Sequence, residues 1–487
     1  MNRLRVLSTA LVILLSFVFT FASFFQVLSR ASDSVGSEND ISAYLSNSAK
    51  IKEISLPKKQ SELSGQNISY DYDGYVFRVL TSDAARGRIG NSNILSEDMY
   101  SDALRATAYM RNSAVSEMLN VEIREIISEE IGIDMKKSFL SSDDNYDLLS
   151  FHANREMALQ LQSAALTDLK KVSTLKLDNP WYDSSCVRDL EIANKLYLLT
   201  GDVIAGNSDS VSAMVYNRDL AQELGYYSPD GGIFEKYVAS GEWTLDTLNM
   251  ITTDINENIT GDNSNLGAFY IGGLDSFSLC IGAGASSFNK GADGTPEINL
   301  NSDKFLDIFS KVLSIQLLPV GSSEISAASF TNGNTLFDTV TLGDLKTLSG
   351  SGIKIGVLPM PKYDKNQTQY RSVVNFKDAV AIAIPSTNSE LDRTGVIIEQ
   401  LSAESSWYMW DSYYNSIIEN NEDTIRMIKT VLASKIFDLG DLFGWANIPK
   451  ALNELTVPNG ISSFKEQMTG RSNAAMFAMN LILKKIK

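Results

Sequence analysis

The chain has 487 residues, 44% of them hydrophobic, and a formal net charge of -17. That length suits two folded bodies rather than one, and the apolar content excludes a globally disordered chain. The negative charge repels phosphate backbones and anionic headgroups, so no nucleic-acid partner is expected; its plain reading is solubility.

Arg3 and Arg5 precede an almost unbroken apolar run, Val6 to Phe25. Positive charge before such a run directs the rest of the chain outward. The run exceeds a usual signal-peptide core and just suffices to cross a bilayer. Ser29 and Ala31 form a small-x-small site, so residues 1–31 read as a cleaved signal peptide or a retained signal anchor. Residues 32–69 are polar and read as a flexible tether with a reach of about 30–35 Å.

From residue 70, strands and helices alternate. Tyr75–Leu80, Val121–Ile127 and Tyr146–Phe151 read as strands, with amphipathic helices over Ser96–Leu119 and Glu156–Ala165. A second set follows: strand Ser212–Asn217, a helix within Ser240–Asn256 started by Thr244 or a neighbour, helix Ser302–Leu317, and strands Leu336–Leu342 and Ile353–Leu358. Ala379–Ile384 is a fully apolar strand ended by Pro385, and helix Asn388–Ala403 opens a mainly helical remainder. The alternation predicts an α/β fold with mostly parallel sheets covered by helices.

Several segments, in order, resemble one family. They are 95–119 (LSEDMYSDALRATAYMRNSAVSEML), 146–152 (YDLLSFH), 195–219 (KLYLLTGDVIAGNSDSVSAMVYNRD) and 241–248 (GEWTLDTL). NGNTLF at 332–337, GVLPMPKYDKNQTQY at 356–370, AIPSTNSELDRTG at 383–395 and FDLGDLFGW at 437–445 continue the pattern. Together they are similar to the extracellular solute-binding proteins of bacterial ABC importers, family 1, a group that includes maltodextrin-binding proteins. The resemblance implies a two-lobed periplasmic-binding-protein-like II fold with a cleft between lobes and a helical C-terminal region. Lobe one would take 70–208 plus 359–415. Lobe two would take 209–358 plus 416–487 with the C-terminal helices.

It further implies a monomer that captures a small ligand, a sugar or oligosaccharide, by lobe closure and delivers it to the permease subunits of an ABC transporter. No catalytic group, metal or cofactor is implied. Members in Gram-positive bacteria usually carry a lipid-modified cysteine after the signal segment; here no cysteine precedes Cys186. No lipid anchor is therefore expected. The body would lie at the extracellular face of the membrane, held by the apolar segment or secreted after its cleavage.

Ligands of open α/β sheets sit beyond the carboxyl ends of the strands. That rule selects Thr81, Ser82 and Asp83 after the first strand, His152 and Asn154 after the third, and Asp202 after LYLLT. Lobe two would add Asp275, Phe277 and Thr341, and the C-terminal helices Trp445. Carboxylates and amides suit sugar hydroxyls, and aromatic rings suit their C–H faces. Each residue also has an ordinary reading: Asp83 as a cap, His152 as a satisfied structural group, the aromatics as packing.

Other signals carry less. Residues 254–262 (DINENITGD) have Ile259 where a calcium loop needs glycine and Asn265 where it needs glutamate. There is no GxSxG elbow and no Walker A loop. Cys186 and Cys280 form no CxxC pair and suit either one disulfide or two buried thiols. The competing functions are an extracellular glycan-active enzyme, for which no carboxylate pair stands out, and a surface scaffold or adhesin without a small ligand.

Overall fold

The structure, a computed structural model, describes residues 70–82, 94, 103–153, 165–204, 206–228, 231–258, 267–269, 275–317, 330–417 and 421–486. All of them belong to one unit, Pro57–Lys487. Val6–Phe25, the tether, and the expected helix Glu156–Ala165 up to residue 164 lie outside the described residues. Among the described residues no helix is long and apolar enough to cross a membrane.

Eight strands form two four-stranded sheets. They are β1 (Tyr75–Ser82), β2 (Val121–Ser128), β3 (Leu148–His152), β4 (Ser212–Asn217), β5 (Gly267–Phe269), β6 (Thr335–Thr341), β7 (Ile355–Leu358) and β8 (Val380–Ala383). The first sheet has the order β8-β3-β1-β2, the second β7-β4-β6-β5. The helices that cover the sheets or wall the cavities include α1 (Ala103–Leu119), α2 (Ile131–Ser141), α3 (Ser276–Gly282), α4 (Asp303–Gln316), α5 (Leu391–Ile417), α6 (Ile448–Glu454) and α7 (Gly460–Ile486).

In the first sheet β1 is central. It pairs in parallel with β2 along its whole length and with β3 through Val79, Leu80 and Thr81. Its residues from Val79 onward are buried whichever face they point to, because helices cover both sides. β2 is the edge strand and carries Glu122 and Arg124, ion-paired at 2.7 Å, where charge discourages further strand addition. Asp147, fully buried just before β3, fixes that strand beside β1. It accepts from Arg78 Nε at 2.9 Å, from the Arg78 amide at 2.7 Å and from the Tyr75 hydroxyl at 2.7 Å.

α1 connects β1 to β2 and packs against α5. Between them lies Arg111, fully buried and without a carboxylate partner among the described residues. Its guanidinium donates to Val203 O at 2.8 Å, Ser405 Oγ at 3.0 Å, Asn112 Oδ1 at 2.8 Å and Ile94 O. Burial pushes its pKa down to about 9. Neutral oxygens from distant chain segments take its protons, and the one side chain ties those segments together.

The second sheet departs from the parallel expectation. β4 pairs antiparallel with both β6 and β7, and only β5–β6 is parallel. Its core is aromatic: Phe234 meets the rings of Tyr216, Trp243 and Phe337 at 4.9, 6.1 and 5.0 Å. Gly356 on β7 faces Tyr216, and a Cβ there would stand 2.0 Å from that ring, so the position takes glycine only. The helix expected within Ser240–Asn256 from Thr244 or a neighbour is Leu245–Asn258, and a separate helix, Ile233–Ser240, ends before it at Gly241 with φ 74°. Cys186 and Cys280 are both buried and free, and burial pushes both thiols up.

Trp243 is fully buried, and its Nε1 donates to Pro359 O at 2.9 Å. Trp243→Ala leaves a large cavity and an unsatisfied carbonyl, and should cost about 3–5 kcal/mol. Guanidinium unfolding should show a lower midpoint at unchanged slope; an unshifted midpoint would contradict this packing.

Candidate functional site

Three chain segments run side by side between the two sheets. Asn375 N donates to Ser210 O at 2.8 Å, Val374 N to Ile436 O at 2.9 Å, and Ser372 N to Ser434 O at 2.8 Å. Val211 bridges Val374, and Ser372–Val373 pairs in parallel with Lys435–Ile436. Two of these segments connect the sheets, one leading into β4 and one running from β7 to β8, and the third joins them in one hydrogen-bonded band.

Beside this band lies a cavity of about 670 Å³. Ser212, the first residue of β4, opposes Thr341, the last of β6, so the cavity sits at the carboxyl end of β6. Asp275, Phe277 and Ser278 at the start of α3 form one wall. Asn375 and Lys377 of the band form the floor, and Asp441 with Asn447, Lys450, Asn453 and Glu454 form the far wall.

Asp275 is placed by its capping role. Its carboxylate accepts from the amides of Phe277 and Ser278, both at 3.2 Å, and from the Ser278 hydroxyl, while its own amide donates to Thr339 Oγ1 at 2.9 Å. Burial still raises its pKa against those bonds. Asp438 caps the next short helix, Leu439–Leu442, accepting from Asp441 N at 3.1 Å and from Ser287 N at 3.2 Å; burial raises it too. Among the described residues the Asp441 carboxylate receives one long contact, from Phe376 N at 3.5 Å. Burial pushes Asp441 up to about 7, helped by the charges of Asp438 and Asp275. Near neutral pH this group can therefore act as hydrogen-bond donor or acceptor.

Of the residues expected from sequence, Asp275 and Phe277 line this cavity together. Thr81 is fully buried in β1, and its hydroxyl has no partner among the described residues. His152 ends β3, half-buried, in register with Val380. Asp202 stands apart, near the ion pair of Lys435 and Asp183; burial pushes it up to about 7, with Lys435 opposing and Asp183 adding. Thr341 donates its hydroxyl and amide to Asp344 at 2.8 and 2.9 Å. Trp445 is buried, stacked on Phe443 at 4.7 Å and tilted against Phe288 at 5.0 Å, so its faces are already covered. Asp83 and Asn154 lie outside the described residues.

The sequence pattern does not single out Ser212, Asn375, Lys377, Asp441, Asn453 or Glu454. Segment 437–445 belongs to the family resemblance, yet nothing local distinguishes Asp441 from the other polar residues in it. Lys450, Asn453 and Glu454 recur at helical spacing on α6, a pattern that marks any solvated face equally well.

No protein-family model matches the chain, and no curated protein sequence does. Solved structures do. A cyclo/maltodextrin-binding protein complexed with maltotetraose superposes with TM-score 0.52 at 14% identity, covering 86% of this chain and 99% of that one. The GacH receptor of Streptomyces glaucescens, solved unliganded and with acarbose, gives TM-score 0.48 at 11% identity over 84% of this chain and 99% of its own. An ABC substrate-binding protein of Listeria monocytogenes in complex with cycloalternan gives 0.45 at 13%, over 85% and 99%. The first likeness covers most of the chain and establishes the fold as the two-lobed α/β fold of substrate-binding proteins.

Asp441 yields a pH test. Unfolded, it titrates near the ordinary aspartate value of about 3.9; folded, at about 7. A raised acid contributes fully below the unfolded value and loses that contribution as pH rises through the folded one. Asp441→Asn removes the loss. Its melting temperature should gain on the wild type's between about pH 4 and pH 8. A difference constant across that range would show that Asp441 titrates normally.

Proposed function

We propose that this chain is the solute-binding component of an ABC importer, taking up an oligosaccharide by closure of its two lobes. The observation that carries the reading is the cavity itself. It lies at the carboxyl end of β6, beside the three-segment band, and gathers carboxylates, amides and hydroxyls around the buried ring of Phe277. Such a lining matches the many hydroxyls and few apolar faces of a sugar. Its place beside the connecting band suits a ligand that holds two lobes together, since only the closed form makes both sets of contacts. The fold shared with a maltotetraose-bound protein supports the same ligand class.

In this reading lobe one takes 70–208 plus 359–415, and lobe two takes 209–358 plus 416–487. Asp275 and Phe277 contact ligand from the second lobe, and Asp83 and Asn154 approach from the first. The body works outside the cytoplasm, exported through residues 1–31, and hands its ligand to membrane permease subunits.

Titration calorimetry against maltotetraose, mannotriose, acarbose and cycloalternan tests the reading. At least one should bind and be recovered chemically unchanged. Asn453, exposed on α6, can lose its amide without disturbing the core. Asn453→Ala should therefore weaken the bound sugar by about tenfold, the worth of one or two hydrogen bonds, at unchanged melting temperature. Hydrolysis of the sugar, or silence across the panel, would sink the proposal.

A further inference from the structure

A second cavity, of about 660 Å³, shares no lining residue with the first. Its walls come from the short helix Ser184–Asp189, the hairpin Phe288–Lys290 with Pro296–Ile298, and the connecting segments 367–371 and 433–439. Four cationic side chains line it. Three have carboxylate partners: Arg188 meets Asp189 at 2.7 Å, Lys290 meets Glu191 at 2.7 Å, and Lys435 pairs with Asp183.

Arg371 is the fourth. It is half-buried, and its guanidinium makes no hydrogen bond or ion pair with any described residue. The nearby carboxylates are committed elsewhere. Asp189 holds Arg188 and accepts from Phe437 N at 3.1 Å; Asp438 accepts from Ser287 N and Asp441 N. Burial pulls the Arg371 pKa below the ordinary arginine range, while Asp189 and Asp438 oppose that pull from a distance. The guanidinium borders the cavity with its donors uncommitted among the described residues, and the planar fork they form fits two oxygens of one carboxylate.

The lining also limits the ligand's charge and body. Asp189, Glu191 and Asp438 in the lining and Asp183 beside Lys435 face the four lining cations and the Lys170 that pairs with Glu191, so a single negative charge leaves the site balanced. A dianion would leave one negative charge unbalanced. The volume far exceeds that of one small ion, and Ser185, Asn289, Gln369 and Ser434 offer neutral donors and acceptors around it. We propose that this cavity is a second binding site, for a hydroxylated monocarboxylic acid whose carboxylate pairs with Arg371.

The probe is sodium gluconate, titrated at constant ionic strength, with sorbitol as the neutral counterpart. Wild-type protein should bind gluconate and not sorbitol. Arg371→Gln should weaken gluconate by about tenfold or more, the loss of a charge-assisted pair. Asn453→Ala, in the other cavity, should leave gluconate affinity unchanged. In the wild-type protein the Arg371 side-chain Nε–H resonance should shift on gluconate addition, a readout that needs no variant to fold. Equal affinity for gluconate and sorbitol, no binding of either, equal gluconate affinity in Arg371→Gln, or an unmoved Arg371 resonance would each overturn the site.

Discussion

The three-segment band is the constraint on which the rest of the structure depends. Residues 210–211, 372–375 and 434–436 are locked edge to edge by backbone bonds of 2.8–2.9 Å. Two crossings tied to a third segment in one band limit how two lobes can move, because the tied segments must bend together. A second tie lies away from the band. Ala193 N donates to Gly294 O at 2.8 Å, and Glu191 pairs with Lys290. Gly294 holds φ 76°, and a Cβ there would stand 2.7 Å from Asn194 Oδ1, so this approach needs glycine twice over.

Three neighbouring carboxylates pose an opposite problem. Asp275, Asp438 and Asp441 lie close enough for the first two to raise the proton affinity of the third. Asp275 and Asp438 are quieted by helix starts, where backbone amides point at the carboxylate. Asp275 takes two amides and a hydroxyl, and Asp438 takes amides from Asp441 and Ser287. Asp441 has only the long contact from Phe376 among the described residues. Of the three it keeps the most unused hydrogen-bonding capacity, and it faces the cavity.

Most of the fold was legible in the sequence. Apolar patterning located β1, β2, β3, β4, β6, β7 and β8, by alternation in β1 and by short apolar runs such as β8, whose four residues are all buried. It says which face is buried but not which strand lies alongside, and so the antiparallel pairing of β4 stayed hidden. The site was legible only in part. Asp275 shows itself as a polar residue opening an apolar helix, a local signal. Trp445 illustrates the limit: an aromatic near a cleft and an aromatic packed on Phe443 and Phe288 read identically in one dimension. Asn375 and Lys377 approach α3 and α6 only through the band, a contact between segments far apart in sequence that no local pattern encodes.

The two cavities meet along two short stretches of chain, 367–377 and 433–441. Residues 433–439 wall the second cavity, and Asp441, on the helix capped by Asp438, walls the first. A substitution in 433–441 perturbs both, so its effects cannot be assigned to either ligand. Asn453 and Arg371 stand clear of it. Asn453 reaches only the first cavity, from α6, and Arg371 only the second, from the connecting segment before Ser372. The two binding events are thus separable by side chains that share no hydrogen bond, while the backbone between them remains common. Energetic linkage between the cavities would run through Asp438 and its helix or through segment 367–377, the two stretches that border both.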